Sequence, residues 1–384
     1  MKTYRVAILG CRGRGAAAAR AYHQHPRTQL VGLCDLLADR RDGLGDELGI
    51  EARYDDFHRM IQAESPDIVA IPTATELHYQ LAMDVLAHGV HIDIEKPLCQ
   101  TLTEADEVLA TASKYGVQVA VHHQGRCGGP MRALQAAVTQ GRIGEPRYLQ
   151  GSGKGYYAGY GLMNIGTHML NNMLGIAGPC HHVEATALVD GRAVTPDDVI
   201  PAANGMGWIL GEHLTAQLTF GDGVTATLLQ HRFPKVDSTA YALEVYGTQG
   251  RLFWRSGAAW FLPVAHDEPG SDSGWVALDP IYPDSFDVAG SAAEADYAFA
   301  DDFVQALDED RPHTCSGVEG RHVMEIMMGI FDSAAQGRRI ALPQADRNHP
   351  LLRWREEAGL GLPEQMPRPY HEWLEAEDHR LGRS

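Results

Sequence analysis

The chain has 384 residues, 44% of them hydrophobic and 21% charged, a composition that supports ordinary buried cores and excludes a disordered or fibrous polymer. At about 150 residues per domain, this length suggests two domains. Lys and Arg number 32 against 50 Asp and Glu, a formal net charge of -18, and that sign opposes binding to nucleic acid or to an anionic membrane.

From residue 4 to about 122, short β-branched runs alternate with segments of helical period, which predicts βαβ units around a parallel sheet. The strand runs are Arg5 to Leu9, Leu30 to Cys34, Ile68 to Ile71, His91 to Ile94 and Gln118 to Val121. Helices are predicted over 16–24, 38–48, 77–88 and 103–115, with Gly89 and Gly116 where a left-handed cap ends a helix. A helix near 131–139 leads into a strand from Pro146 to Gln150. The stretch 183–262 then reads as strands joined by glycine turns, among them Gly221-Asp222-Gly223 and Gly247-Thr248-Gln249-Gly250, the pattern of an antiparallel sheet.

Residues 265–295 are acidic and rich in Pro, Gly and Ser, so a long loop is expected there. Closing helices are predicted over 296–308 and 318–336, and the tail with Trp354 and Trp373 reads as an extension wrapping over the body. The expected division is 1–122, 123–343 and 344–384. Six scattered cysteines without a C-x-x-C pair read as reduced, buried thiols. No apolar leader precedes the first strand and no apolar run approaches the roughly 18 residues of a membrane span, so a soluble cytoplasmic protein is expected.

Gly10-Cys11-Arg12-Gly13-Arg14-Gly15 follows the first strand and opens the first helix, the setting of a dinucleotide-binding loop. Gly10 permits the tight turn, Gly15 lets helix and strand approach, and free helix N–H groups suit a pyrophosphate. Arg12 stands where a second glycine is usual, and its guanidinium is expected to pair with the phosphates. Asp35 ends the second strand twenty residues after Gly15, where a carboxylate accepts from the ribose hydroxyls and repels a 2'-phosphate. This favours NAD over NADP, with Arg40 and Arg41 expected on the exposed face of the next helix.

Glu95-Lys96-Pro97 sits at the carboxyl end of a predicted strand, the edge of a doubly wound sheet where ligands bind. Together with the glycine loop, Gly144-Glu145-Pro146, Gly161-Leu162-Met163-Asn164-Ile165-Gly166-Thr167-His168 and Gly247-Thr248-Gln249-Gly250, it resembles the glucose-fructose oxidoreductase / inositol dehydrogenase (Gfo/Idh/MocA) family over roughly residues 4–340. The resemblance implies an N-terminal Rossmann domain and a C-terminal α/β domain with a large open, mainly antiparallel sheet that packs against another subunit. It also implies that Lys96 lies beside the nicotinamide and the substrate hydroxyl, and that the Lys96-Pro97 peptide is a candidate for the cis form. An ammonium at that place stabilises the developing alkoxide as hydride leaves.

Such enzymes usually carry an aspartate and a histidine four apart on one helix, and this chain has Asn164 and His168. Four-residue spacing puts both on one helical face. His168 is expected to take the hydroxyl proton, since an ordinary imidazole is receptive near neutral pH. Asn164 cannot ionise, which leaves it to orient the hydroxyl or the imidazole. Thr73, Glu76 and His78, after Ile71-Pro72, match the loop that touches the cofactor in the family, alongside Gly13, Arg14, Glu95 and Pro97. His123, Lys154, Tyr156, Tyr157 and Arg232 are candidates for the sugar pocket, where aromatic rings suit the apolar faces of a pyranose. His181 and His182 lack a further ligand at metal spacing, so no metal is expected.

Three functions compete. The leading one is an NAD-dependent oxidoreductase acting on a secondary hydroxyl of a sugar, sugar derivative or cyclitol, with the C3 hydroxyl as one candidate. The second keeps the same residues but oxidises only transiently, eliminates a glycosidic bond and returns the hydride, with Tyr156, Tyr157 or His123 as second base. The third is a catalytically silent protein that binds NAD or sugar. A homo-oligomer through the C-terminal sheet is expected. The positive residues that matter, Arg12, Lys96, Lys154 and Arg232, are expected around one cleft, so the acidic total does not exclude an anionic sugar.

Overall fold

The computed structural model describes residues 2–266 and 274–363. The chain opens with β1 (Tyr4–Leu9), α1 (Arg14–Gln24), β2 (Thr28–Cys34), α2 (Ala38–Leu48), β3 (Arg53–Tyr54), α3 (Phe57–Glu64), β4 (Ile68–Ile71), α4 (His78–Leu86), β5 (His91–Ile94), α5 (Leu102–Tyr115), β6 (Val119–Val121) and the short α6 (Gln124–Cys127). The six strands form one parallel sheet in the order β3-β2-β1-β4-β5-β6. Their apolar runs are continuous rather than alternating: all four residues of β4 and five of the six in β1 are buried, as a parallel sheet covered on both faces requires. The order reverses between β1 and β4, and ligands of such sheets bind at that reversal.

The sequence pattern missed β3 and α3. Two residues are too few to show a strand period. The signal for α3 was present, because the Asp56 side chain accepts from the His58 and Arg59 N–H groups at 2.8 and 3.2 Å, capping a helix whose Met60 and Ile61 are buried.

Next come α7 (Gly129–Thr139), β7 (Pro146–Ser152), α8 (Ala158–Gly161), a π-helical turn at Leu162–Gly166, α9 (Thr167–Ala177) and β8 (Cys180–Val189). Short strands β9 (Arg192–Ala193), β10 (Ile200–Pro201) and β11 (Trp208–Ile209) lead to β12 (His213–Phe220), β13 (Thr225–His231), β14 (Ala242–Gly247), β15 (Arg251–Arg255), β16 (Ala258–Leu262) and β17 (Val276–Ala277). The chain closes with α10 (Glu294–Asp308), α11 (Gly317–Gln336), β18 (Ile340–Ala341) and α12 (Pro350–Glu357).

Ten strands form the second sheet, running β17-β16-β15-β14-β7-β13-β12-β8-β18 with β9 beside β8. Only the β7–β13 pair is parallel, so the large sheet is mainly antiparallel, as expected. Burial alternates along β12, which covers one face of the sheet and leaves the other more open. On the covered face α9 lies so close to β7 that a Cβ at Gly151 would meet Met169 and Met173 at 2.6 Å.

The described residues pack as two units. One is built from residues up to Cys99, from Glu104–Gly129 and from Tyr282–Arg321; the other from Gln100–Thr103, from Pro130–Ile281 and from His322 onward. This differs from the linear division expected at residue 122, because Tyr282–Arg321 returns to the first unit. The reason is apolar: Tyr297, Phe299, Phe303 and Val304 of α10 share one buried cluster with Tyr4, Ile8, Tyr22 and Leu30.

In the second unit, the part of the C-terminal extension up to residue 363 is tied down by ion pairs, Arg347 to Glu325 and Arg353 to Asp332, both at 2.7 Å. Trp373 and the rest of the expected wrap lie outside the described residues, as does part of the expected 265–295 loop. No helix among the described residues is long and apolar enough to cross a membrane.

Candidate active site

In the first unit, the glycine turn has the strained backbone that its sequence predicts. Gly10 has φ +110° and Gly13 φ +45°, and a Cβ at Gly13 would meet nothing within 4 Å. A Cβ at Gly15 would stand 1.8 Å from the Gly10 carbonyl oxygen, so helix and strand approach only because that residue is glycine. Asp35, at the end of β2, accepts from the Cys11 N–H and the Leu37 N–H, each at 2.8 Å. Its carboxylate therefore sits at the mouth of the loop. Arg12 is exposed, and Arg41 is held by Asp42 at 2.9 Å. Thr73 packs its methyl 3.4 Å from where a Gly10 Cβ would be, and its buried Oγ1 has no hydrogen-bond partner among the described residues.

Past β4, Glu76 lies exposed on a 3₁₀ turn at Thr75–Leu77. His78 is fully buried, with Nδ1 2.8 Å from the Pro97 carbonyl and Nε2 3.1 Å from the Thr73 carbonyl. Burial pushes its pKa down, and a neutral ring has one N–H to donate. His78 therefore donates to one of these two carbonyls while its buried ring packs between the β4 loop and the Lys96-Pro97 turn, rather than making the cofactor contact expected of it. The Lys96-Pro97 peptide is cis.

Arg14 also differs from expectation. Its guanidinium is turned onto carboxylates, with Nε donating to Glu95 Oε1 at 2.8 Å and the terminal nitrogens gripping Asp296. The fork is therefore committed away from a phosphate. Glu95 is buried, which by itself favours the neutral acid, yet His122, Lys96 and Arg14 hold its pKa below the usual range. At the end of β6, His123 is 1% exposed, and burial together with the Lys96, Arg126 and His122 charges pushes its pKa well down.

The second unit carries the Asn164 and His168 segment, but not as one continuous α-helix. The turn from Leu162 to Gly166 is π-helical, with the Thr167 N–H reaching the Leu162 carbonyl, and Asn164 lies in it while His168 opens α9. Both are half-buried. Asn164 Nδ2 donates to the Tyr160 hydroxyl at 3.2 Å, and Asn204 Nδ2 donates to the same oxygen at 3.4 Å. Tyr156 packs edge-on against Tyr160 with ring centroids 5.6 Å apart, whereas Tyr157 is buried at the start of α8.

Lys154 extends over the face of buried Tyr241, 5.4 Å from its centroid, and burial lowers its pKa. Arg232 is not the open cation expected around a sugar-binding cleft. Its side chain is 5% exposed and pairs with the fully buried Glu212 at 3.4 Å. That pairing neutralises the charge meant for an anionic sugar.

Tyr160, Asn204, Glu212 and Gln230 escaped the sequence reading. Gln230, on β13, fills the space that three glycines leave, since a Cβ at Gly153 or Gly161 would meet its Oε1 at 2.1 or 2.7 Å and one at Gly166 its Nε2 at 3.4 Å. The run Gly151-Ser152-Gly153-Lys154-Gly155 was the available signal for such close approach. Among the described residues, no group of three or more His, Cys, Asp or Glu is placed to hold a metal.

Residues 4–123 match the family model described as an oxidoreductase family with an NAD-binding Rossmann fold, and 135–342 match the companion C-terminal alpha/beta domain. The D-apiose dehydrogenase of Paraburkholderia graminis is 24% identical over 373 residues, covering 92% of this chain and 93% of the relative. The D-glucoside 3-dehydrogenase of Escherichia coli is 30% identical over 190 residues, 45% of this chain and 54% of its own. Among solved structures, a levoglucosan dehydrogenase in complex with NADH and levoglucosan superposes with a TM-score of 0.73 at 18% identity, over 89% of this chain and all of the other. With its glycine turn and Asp35 in the first unit and its large mixed sheet in the second, the chain belongs to the Gfo/Idh/MocA family of oxidoreductases.

Proposed function

We propose that the protein is an NAD-dependent dehydrogenase acting on a secondary hydroxyl of a sugar, sugar derivative or cyclitol. The observation that carries this reading is the glycine turn at the carboxyl edge of the parallel sheet, with the Asp35 carboxylate at its mouth. The residues present fit the dinucleotide. Gly13 leaves room for a pyrophosphate, the orphaned Thr73 Oγ1 offers a hydrogen bond, and Asp35 suits a ribose with free hydroxyls. Arg12 is the cation left to face the phosphates, while Arg14, His78, Glu95 and Pro97 hold the turn in place. NAD, when bound, supplies the acceptor for the hydride.

In this assignment Lys96 donates to the substrate hydroxyl, His168 accepts its proton, and Asn164 orients it. Tyr156 and Lys154 are proposed to meet the sugar, with His123 a neutral neighbour. The activities named for the D-apiose and D-glucoside relatives support a sugar as substrate. The C3 hydroxyl is the candidate position, given the D-glucoside 3-dehydrogenase relative. A second copy is proposed to pack on the open face of the large sheet, where Tyr148, Tyr246, Phe253 and Trp260 cluster. Six free, buried thiols suit a cytoplasmic setting.

The test is a screen of neutral sugars, uronates, cyclitols and glycosides for NADH formation, with Lys96→Met and His168→Ala as controls. Steady NADH accumulation is expected, and turnover should fall by about tenfold or more in each variant. Release of an aglycone without net NADH would replace the dehydrogenase by a redox-neutral glycosidase. Absence of NAD binding by thermal shift would overturn both.

A further inference from the structure

Ionisable side chains from four elements of the first unit meet in one cluster, buried at Asp93, Glu95, His122 and Asp296 and open to solvent at Arg14, whose side chain is 40% exposed. Arg14 of α1 grips Asp296 of α10 and Glu95 after β5. His122, at the end of β6, stands between two carboxylates, with Nδ1 2.8 Å from Asp93 Oδ1 and Nε2 2.9 Å from Asp296 Oδ1. Tyr22 donates its hydroxyl to Asp93 at 2.9 Å. Asp93, His122 and Asp296 are 2 to 3% exposed. A ring whose two nitrogens both face carboxylate oxygens carries a proton on each, so His122 is an imidazolium. Burial alone would strip that proton, but Asp93 and Asp296 outweigh it and push the ring up to about 10. Burial likewise opposes the Asp296 carboxylate, which His122 and Arg14 nevertheless hold at about 2.

Three carboxylates, Asp93, Glu95 and Asp296, thus face three cations, Arg14, His122 and the neighbouring Lys96, while His123 beside them stays neutral. A buried cluster of zero net charge is tolerable where one unpaired charge is not. The cluster also reaches the reactive turn. Glu95 Oε2 accepts from the Lys96 backbone N–H at 3.2 Å, and the His122 backbone N–H donates to the Ile94 carbonyl at 2.7 Å.

We infer that Asp296 is a positioning residue of the hydride-transfer site: it clamps Arg14 and His122, and through Arg14 it fixes Glu95 and the turn that carries Lys96. The inference rests on the proposed dehydrogenase reading, in which Lys96 acts on the substrate. Asp296 acts wholly through its neighbours, and it comes from a helix that follows the large sheet in the chain.

The experiment compares the full-length wild-type protein with Asp296→Asn, measuring kcat, NAD affinity by fluorescence and the His122 ring by ¹⁵N-histidine NMR. In Asp296→Asn, kcat should fall by about tenfold or more while the NAD dissociation constant stays within about threefold, a split that general destabilisation does not produce. Without the second carboxylate His122 sheds its proton more readily, so the variant's kcat should acquire an alkaline limb, falling as pH rises between about 6 and 9, that the wild type lacks, whereas the acid limb of the proposed base His168 is common to both. In the wild type both ring nitrogens should remain protonated across that range.

A variant kcat within about threefold of wild type would overturn the positioning role alone. A wild-type protein that oxidises no sugar would instead remove the dehydrogenase reading, and this assignment with it. Should Asp296→Asn not fold, the wild-type titration decides, since a His122 ring titrating near the ordinary value of about 6.5 would overturn the clamp.

Discussion

Tyr160 accepts two amide hydrogen bonds on one hydroxyl oxygen, from Asn164 at 3.2 Å and from Asn204 at 3.4 Å. The bond turns the Asn164 amide nitrogen toward Tyr160 and its oxygen elsewhere, which gives a non-ionisable side chain a defined orientation in the π-helical turn. Burial pushes the Tyr160 phenol up to about 12, so it stays a neutral partner throughout the working pH range. Tyr160→Phe keeps the ring packing and removes the oxygen. Loss of the Asn164 bond, worth about 1 kcal/mol, should lower kcat/KM by about fivefold, while loss of both bonds should cost about 2 kcal/mol of stability. Steady-state kinetics beside a melting curve checks this, and unchanged kinetics would mean that Asn164 is held by something else.

Asp35 accepts from the Cys11 and Leu37 N–H groups at 2.8 Å each, and in the proposed NAD site its negative charge opposes a 2'-phosphate. Asp35→Ala should weaken NAD by about tenfold and narrow the NAD/NADP ratio of kcat/KM by a similar factor or more. Retention of full discrimination would show that another group excludes NADP.

The two inner glycines of the turn are expected to respond differently to alanine. At Gly15 the new methyl meets a main-chain oxygen at 1.8 Å, which cannot move without separating α1 from β1. Gly15→Ala should destabilise by about 3 kcal/mol or more and abolish NAD binding. At Gly13 the space is open and only the backbone, φ +45° with ψ -98°, opposes a side chain, so Gly13→Ala should cost about 2 kcal/mol, less than at Gly15. Denaturant melts of the two variants test the difference.

His349 of the second unit caps α12 with its ring buried and edge-on to Trp208 at 5.3 Å, and neither ring nitrogen has a hydrogen-bond partner within the described residues. Burial pushes its pKa down to about 3. A folded-state value below the unfolded one of about 6.5 favours the neutral ring, so its contribution is present above about pH 6.5 and is lost as pH falls toward 3. His349→Phe keeps the packing without a titratable group. The variant should match wild type near pH 7 and melt higher at about pH 4, where a wild-type advantage would count against this account.

Local order in this protein was legible because it is written in local periods and spacings. The apolar runs of β1, β2, β4 and β5 marked a sheet covered on both faces, and the same runs placed Gly10, Asp35 and Lys96 at its carboxyl edge. Helix α3 was readable from Asp56 and its following apolar pair but went unread, whereas two-residue β3 left no period to find.

What the sequence alone determined is the two sheets and the cofactor loop, since turn glycines and strand periods act over a few residues. Tertiary structure decided which charges meet. Arg14 was expected among the cofactor contacts, yet its partner Asp296 lies 282 residues away on a helix that returns to the first unit to bury Tyr297, Phe299 and Phe303. Arg232 read as an open cation, yet Glu212, from the bend just before β12, lies against it. A buried charge takes its meaning from the partner that compensates it, and no local period encodes where in the chain that partner lies.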